Sequence, residues 1–156
     1  MNCNIIPVAT GDKWIGYGIR ASSSVIRELI QDTKKEVVLT AYLLTNREIV
    51  SYLHTALNRG ISVIIYIYAG NNPFKESGAA KALYELKNKY PYLRIVEVNK
   101  IMLHAKVIIS DGERMYCGSA NLSDQGMDTN YELGFLINDS VTSCKIRDLI
   151  QKLDES

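Results

Sequence analysis

The stretch that most constrains the fold is ISVIIYIY, residues 61–68. It is short, apolar almost throughout and rich in β-branched and aromatic side chains. Such a run fits a β-strand covered on both faces, as in a sheet sandwiched between helices. Its neighbours supply the covering layers. Residues 22–34 (SSSVIRELIQDTK) place a serine cap ahead of Val25, Ile26, Leu29 and Ile30 at helical spacing. Residues 46–59 carry Ile49, Val50, Leu53, Ala56 and Leu57 on one stripe, with Thr45 and Glu48 read as a capping box and Gly60 closing the helix. Residues 36–44 (EVVLTAYLL) lack helical periodicity and read as another strand.

Downstream, AGNNPFKES (69–77) reads as a loop, about 78–90 as a helix stopped by Pro91, and 140–153 as a last helix. Strands are expected at 92–98, 102–110, 114–118 and 130–137, with residues 1–20 as a looser N-terminal arm or edge segment. The first half alternates strand and helix and the second is strand-rich. The expected architecture is α/β, a mixed sheet flanked by helices on both faces, in one domain over 1–156. A chain of 156 residues is long enough to bury roughly 70% of its extended surface. Its 47% apolar and 22% charged residues exclude a disordered polyampholyte. No apolar run reaches the ~18–20 residues needed to span a bilayer. The opening MNCNIIPVATGDK has no basic segment followed by an apolar one, so the reading is cytoplasmic. Cys3, Cys117 and Cys144 are scattered and odd in number, which fits buried or free thiols rather than a disulfide framework. With two histidines, neither near a cysteine, no metal site is expected.

Charge is unevenly spread. Residues 75–100 hold six Lys/Arg (75, 81, 87, 89, 94, 100) against three Glu, whereas 111–156 hold four basic and nine acidic residues. The basic stretch suits either phosphate backbones or a solvated helix face.

The chemistry concentrates in LHAKVIISDGERMYCGSANLSDQGMDTNYELGFLI, residues 103–137. Strand alternation puts Leu103, Ala105, Val107 and Ile109 on one apolar face and His104 and Lys106 on the other. An imidazole and an ammonium would then stand side by side. The same alternation puts Tyr131, Leu133, Phe135 and Ile137 together and turns Glu132 the other way, a carboxylate in need of a partner. Gly118-Ser119-Ala120-Asn121 offers a turn, a hydroxyl and a carboxamide, neutral donors for phosphate oxygens. Asp111-Gly112 is a hairpin signal. Taken singly, each residue has an ordinary structural use: a hydrogen-bonded histidine, a solvent-facing lysine, a common turn.

Their spacing changes that. His104-x-Lys106, four residues, Asp111, six residues, Gly118-Ser119-x-Asn121, then Asn130-x-Glu132 resembles the HKD signature of the phospholipase D superfamily at every defining position. The resemblance is strict over about 30 residues. It implies cleavage of a phosphodiester without a metal or other cofactor, at a site where two HKD motifs meet. One histidine attacks phosphorus to form a phosphohistidine. The other protonates the leaving oxygen and then activates water or an alcohol. By position, His104 is nucleophile or general acid, and Lys106, Ser119 and Asn121 hold the non-bridging oxygens. Glu132 orients a histidine ring, and Asp111 takes a structural or supporting part. An unperturbed imidazole has a pKa of about 6.5, so one copy can be neutral and the other protonated near neutrality. Paired lysines supply charge that elsewhere requires a divalent cation.

The chain carries one such motif. The other histidine, His54, lies in the YLHTAL helix pattern with no lysine two residues on, and its expected role is structural. The resemblance therefore implies a homodimer with the active site on the twofold axis. Single-motif superfamily members without a signal include nucleases, so a DNA or RNA nuclease is the leading expectation, with a recognition subunit or domain as a further partner. The alternatives are phosphatidyl hydrolysis or transfer, against which no amphipathic membrane-binding helix and no stable membrane association is expected, and an inactive nucleic-acid-binding module.

Overall fold

The computed structural model describes residues 3–71 and 76–155. Eight strands form one mixed sheet: β1 (Asn4–Thr10), β2 (Arg20–Ala21), β3 (Glu36–Ala41), β4 (Ser62–Tyr68), β5 (Leu93–Val98), β6 (Val107–Ser110), β7 (Arg114–Gly118) and β8 (Glu132–Asn138), in spatial order β2-β1-β8-β7-β6-β3-β4-β5. The β3-β4-β5 half is parallel, and β3-β6-β7-β8-β1 is antiparallel. Four helices cover it: α1 (Ser22–Asp32), α2 (Arg47–Asn58), α3 (Gly78–Lys89) and α4 (Ser140–Gln151).

The helices divide between two faces as the apolar stripes require. Val25, Ile26, Leu29 and Ile30 of α1, Leu53 and Leu57 of α2 and Leu83 of α3 close one core over Leu39, Ile65 and Ile108. Ile146 and Ile150 of α4 close the other, with Val38, Tyr66, Val107, Ile109 and Met115. The β4 run is buried between these layers. A 3₁₀ turn, Lys152–Glu155, ties the C-terminus to the sheet. Tyr66 donates to Asp154 (2.7 Å) and Arg94 donates to both (3.0 Å to Tyr66, 2.6 Å to Asp154). Burial first, then the Asp154 carboxylate, pushes the Tyr66 phenol up to about 12.

Five expectations change. No serine caps α1: the helix begins at Ser22, with Ala21 at the cap position and no side-chain cap. Residues 4–10, expected as an arm or edge segment, form a full strand paired with β8 along its length. The α2 cap is Asn46, whose side chain accepts from Ile49 N at 2.9 Å, rather than Thr45. The strand expected over 102–110 is confined to β6, and Ala105, placed on the core face by alternation, is exposed. On β8 the alternation holds, but Leu133 and Phe135, with Tyr131 just before the strand, are 43–50% exposed, and among the described residues no helix covers them. The loop expected at 69–77 falls partly outside the described residues. A π-helical turn at Gln125–Thr129 was not foreseen, because single-residue insertions into a helical turn have no periodic signature. Among the described residues no helix is long and apolar enough to cross a membrane.

Candidate functional site

Strand direction gathers the HKD-like residues at one end of the sheet. The carboxyl ends of β1, β3, β4 and β7 and the amino ends of β6 and β8 all open there. The segment carrying His104 and Lys106 runs into β6 from this end and is spliced to β3 by a side chain. The buried Thr40 hydroxyl donates to Ala105 O (2.9 Å) and accepts from Val107 N (3.0 Å). The Thr40 hydroxyl thus continues the sheet past its last backbone pair, Thr40↔Val107. On the other side Gly118 N donates to Lys106 O at 3.3 Å.

His104 is exposed and Lys106 is 8% exposed. The ammonium lies 3.2 Å from His104 Nδ1 and 3.4 Å from Nε2, donates to His104 O at 2.8 Å, and sits 5.9 Å from the Tyr42 ring centroid. Burial lowers the Lys106 pKa below the ordinary lysine value, and the Glu132 carboxylate partly offsets that effect. A partly desolvated cation is a stronger partner for an anion than one in bulk water.

Across β7, Ser119 Oγ donates to Glu132 and accepts from Leu133 N at 3.1 Å, while Asn130 Nδ2 donates to Glu132 Oε1 at 3.2 Å. Among the described residues these are the carboxylate's partners, and His104 of the same chain is not one of them. The backbone here is packed closely. A Cβ on Gly118 would stand 2.7 Å from Gly134 Cα, and one on Gly134 would stand 2.7 Å from Tyr116 Cε2. Glycine is required at both places because nothing larger fits between β7 and β8. Asn121 is half-buried, and its Oδ1 has no partner among the described residues. Its loop is fastened to the β3–α2 connection through Leu122 N to Leu43 O (3.1 Å) and Asn46 Nδ2 to Asp124 Oδ1 (2.8 Å).

His104, Lys106, Ser119, Asn121 and Glu132 therefore sit at one end of neighbouring strands. Asp111 does not. It lies at the opposite end of β6, where Asp111 (φ 55°) and Gly112 (φ 66°) make a type I′ hairpin closed by Glu113 N to Ser110 O at 2.9 Å. Its carboxylate accepts from Lys34 N (2.9 Å), Lys35 N (2.8 Å) and Glu36 N (3.0 Å). Burial alone would raise its pKa; the three amides, from Glu36, Lys34 and Lys35, outweigh burial and hold it below the ordinary value. His54 is remote from the cluster, on α2, half-buried against Tyr90 at 5.9 Å between ring centroids. The spacing includes Asn130 without giving it a role, and sequence reasoning misses Thr40 and Tyr42, which nothing local marks. Among the described residues no group of three His, Cys, Asp or Glu is placed to hold a metal ion. Chemically, the cluster offers an imidazole, a fixed cation and neutral donors, groups of the kind that phosphoryl transfer uses.

Comparison with known proteins shows the family and the fold. A family model described as "Cardiolipin synthase, PLD-like domain" matches residues 26–155. The chain is 30% identical over 136 residues to DISARM protein DrmC of Bacillus paralicheniformis, covering 83% of this chain and 55% of that one. It is 26% identical over 141 residues to cardiolipin synthase A of Buchnera aphidicola, covering 89% and 28%. It thus spans about half of the first relative and under a third of the second. NucT from Helicobacter pylori superposes with a TM-score of 0.78 at 22% identity over 99% of this chain and 98% of that one, which shows the same fold. With the family match running from α1 to the C-terminal turn and including β3 to β8, the chain belongs to the phospholipase D superfamily.

Proposed function

We propose that the protein is a metal-independent phosphodiesterase that cleaves DNA or RNA at a site shared by two copies of the chain. The observation that carries this is the exposed His104 imidazole held 3.2 Å from the buried Lys106 ammonium, beside a Glu132 carboxylate fixed by Ser119 and Asn130. In the first step a neutral His104 imidazole attacks phosphorus, and the P–O bond breaks. The partner copy's imidazolium gives its proton to the departing oxygen. In the second step that now-neutral ring takes a proton from water, hydroxide attacks phosphorus, and the P–N bond breaks. Two Lys106 ammonium groups, with Ser119 and Asn121, balance the charge on the non-bridging oxygens. Glu132 does not reach its own His104, which suits a carboxylate that orients the other copy's ring across the axis.

The surface supports pairing. Ile5, Leu133 and Phe135 share one face of β1 and β8 and are 43–58% exposed, while α4, which covers only the rest of that face, presents Val141 and Leu149 outward. A twofold axis would lay each copy's α4 over the other's bare strands, an isologous contact. The second reading is phosphatidyl transfer, favoured by the cardiolipin synthase relatives. Incubation with single- and double-stranded DNA and RNA in excess EDTA distinguishes the two. The nuclease reading predicts cleavage, its loss in His104→Ala and its retention in His54→Ala. Turnover of phosphatidylcholine vesicles with no nucleic-acid cleavage, or strict dependence on added metal, would contradict it.

A further inference from the structure

The loop joining β1 to β2, residues 11–19, is fastened to the segment that carries Asn130 and Glu132. Tyr131 lies between those two residues. Its ring packs on Trp14 at 5.0 Å between centroids, and its hydroxyl donates to Asp12 Oδ1 at 2.8 Å. That hydrogen bond to a carboxylate pushes the Tyr131 phenol up from its ordinary value. Gly11, at φ 114°, turns the chain directly against the ring, where a Cβ would strike Tyr131. The residue before it, Thr10, pairs with Glu132 and donates through its buried hydroxyl to Gly126 O at 2.8 Å.

The loop is also closed on itself. Trp14 N and Ile15 N donate to Gly11 O (3.1 and 3.2 Å), and Gly16 and Ile19 exchange backbone hydrogen bonds (3.1 and 2.9 Å). The tip takes positive φ at Gly16, Tyr17 and Gly18. A left-handed tyrosine is strained, and Tyr17 is fully exposed, so its side chain gains no burial in return. The strain serves the shape of the loop, which seats Trp14 against Tyr131.

Glu132 is the first residue of β8, and strand ends open most readily. Asn130, one of the carboxylate's two side-chain partners, is itself exposed. Both flank Tyr131, so both move if it moves. A carboxylate that must meet an imidazole on another chain tolerates a misplacement of only about 0.5 Å. Resting on the role proposed above for Glu132, we propose that Asp12, Trp14 and Tyr131 form a latch that positions Glu132 for the partner copy's imidazole. They are positioning residues, and they act on the reaction through the carboxylate.

The test follows cleavage of a labelled oligothymidylate in EDTA against pH, or of phosphatidylcholine vesicles if the oligonucleotide is not cut. Trp14→Ala is expected to lower kcat roughly tenfold with KM little changed. It also moves the alkaline limb of the kcat profile to lower pH by about half a unit, because a carboxylate beside an imidazolium keeps the proton on to higher pH and a loosened one does so less. The charged groups at the site, Lys106 and Glu132, and those on the loop, Asp12 and Lys13, are untouched by this change. Tyr131→Leu acts likewise, Trp14→Phe restores rate and limb, and Tyr17→Asn, which suits the left-handed tip, changes neither. Trp14 is 46% exposed, so folding is not at stake. An unmoved limb in Trp14→Ala, or a change in KM alone, would overturn the latch; loss of folded protein lowers the active fraction and leaves the limb in place. Glu132→Gln separates that failure from a deeper one. If its rate and limb match wild type, or if wild type turns over neither substrate, the role proposed for the carboxylate falls and the latch falls with it.

Discussion

Asp111 separates what a motif marks from what a residue does. It sits at a defining position of the HKD-like pattern, yet its carboxylate is spent on the amides of Lys34, Lys35 and Glu36 at the end of β6 away from His104. Asp111→Ala removes three charge-assisted hydrogen bonds and forces alanine to a φ of 55°. The expected loss is about 2–3 kcal/mol, or roughly 5–10 °C in Tm, with turnover retained below the transition. Because the folded pKa is held below the reference 3.8, the unfolded chain binds this proton first as pH falls. The stabilisation is complete above about pH 4–5 and disappears as pH drops through the folded value. The gap between wild type and variant in urea melts should therefore narrow as pH falls below the reference value; a gap that stays constant would contradict this account. The grouping of His104, Lys106, Ser119, Asn121 and Glu132 at one end of the sheet was legible in the chain. Their hydrogen bonds were not. Spacing along the chain says nothing of which amide three strands away a carboxylate will find.

The elements show the same division. Helical stripes and the apolar β4 run were readable because burial on one face imposes its period on the residues. The β6 boundary was not, because a side chain rather than backbone completes the pairing. Thr40→Val keeps the shape and deletes the hydroxyl that holds Ala105 O and Val107 N. Leaving those groups unpaired is expected to cost about 1–3 kcal/mol. The freed segment carries His104 and Lys106, so kcat should fall roughly 10–100-fold with KM little changed, and Thr40→Ser should restore both. A Val variant as active as wild type would show that the splice does not position the site. On β8 the alternation was correctly read and the covering layer was not. A period of two says which side chains share a face, and leaves open whether helix, solvent or another chain lies against it.

At the scale of the whole molecule, the described residues hold one imidazole–ammonium pair, a carboxylate bonded to Ser119 and Asn130 rather than to its own histidine, and a bare apolar strand face beside a half-exposed helix. We propose a second copy related by a twofold axis to account for each of these. A symmetric site needs both histidines at once, which gives a quantitative signature. The most direct measurement mixes wild type with His104→Ala chains under conditions that exchange subunits, then reads nuclease activity against the wild-type fraction. A shared site predicts activity falling as the square of that fraction, to about one quarter at equal mixing. A linear fall to about one half, with each chain acting alone, would contradict it.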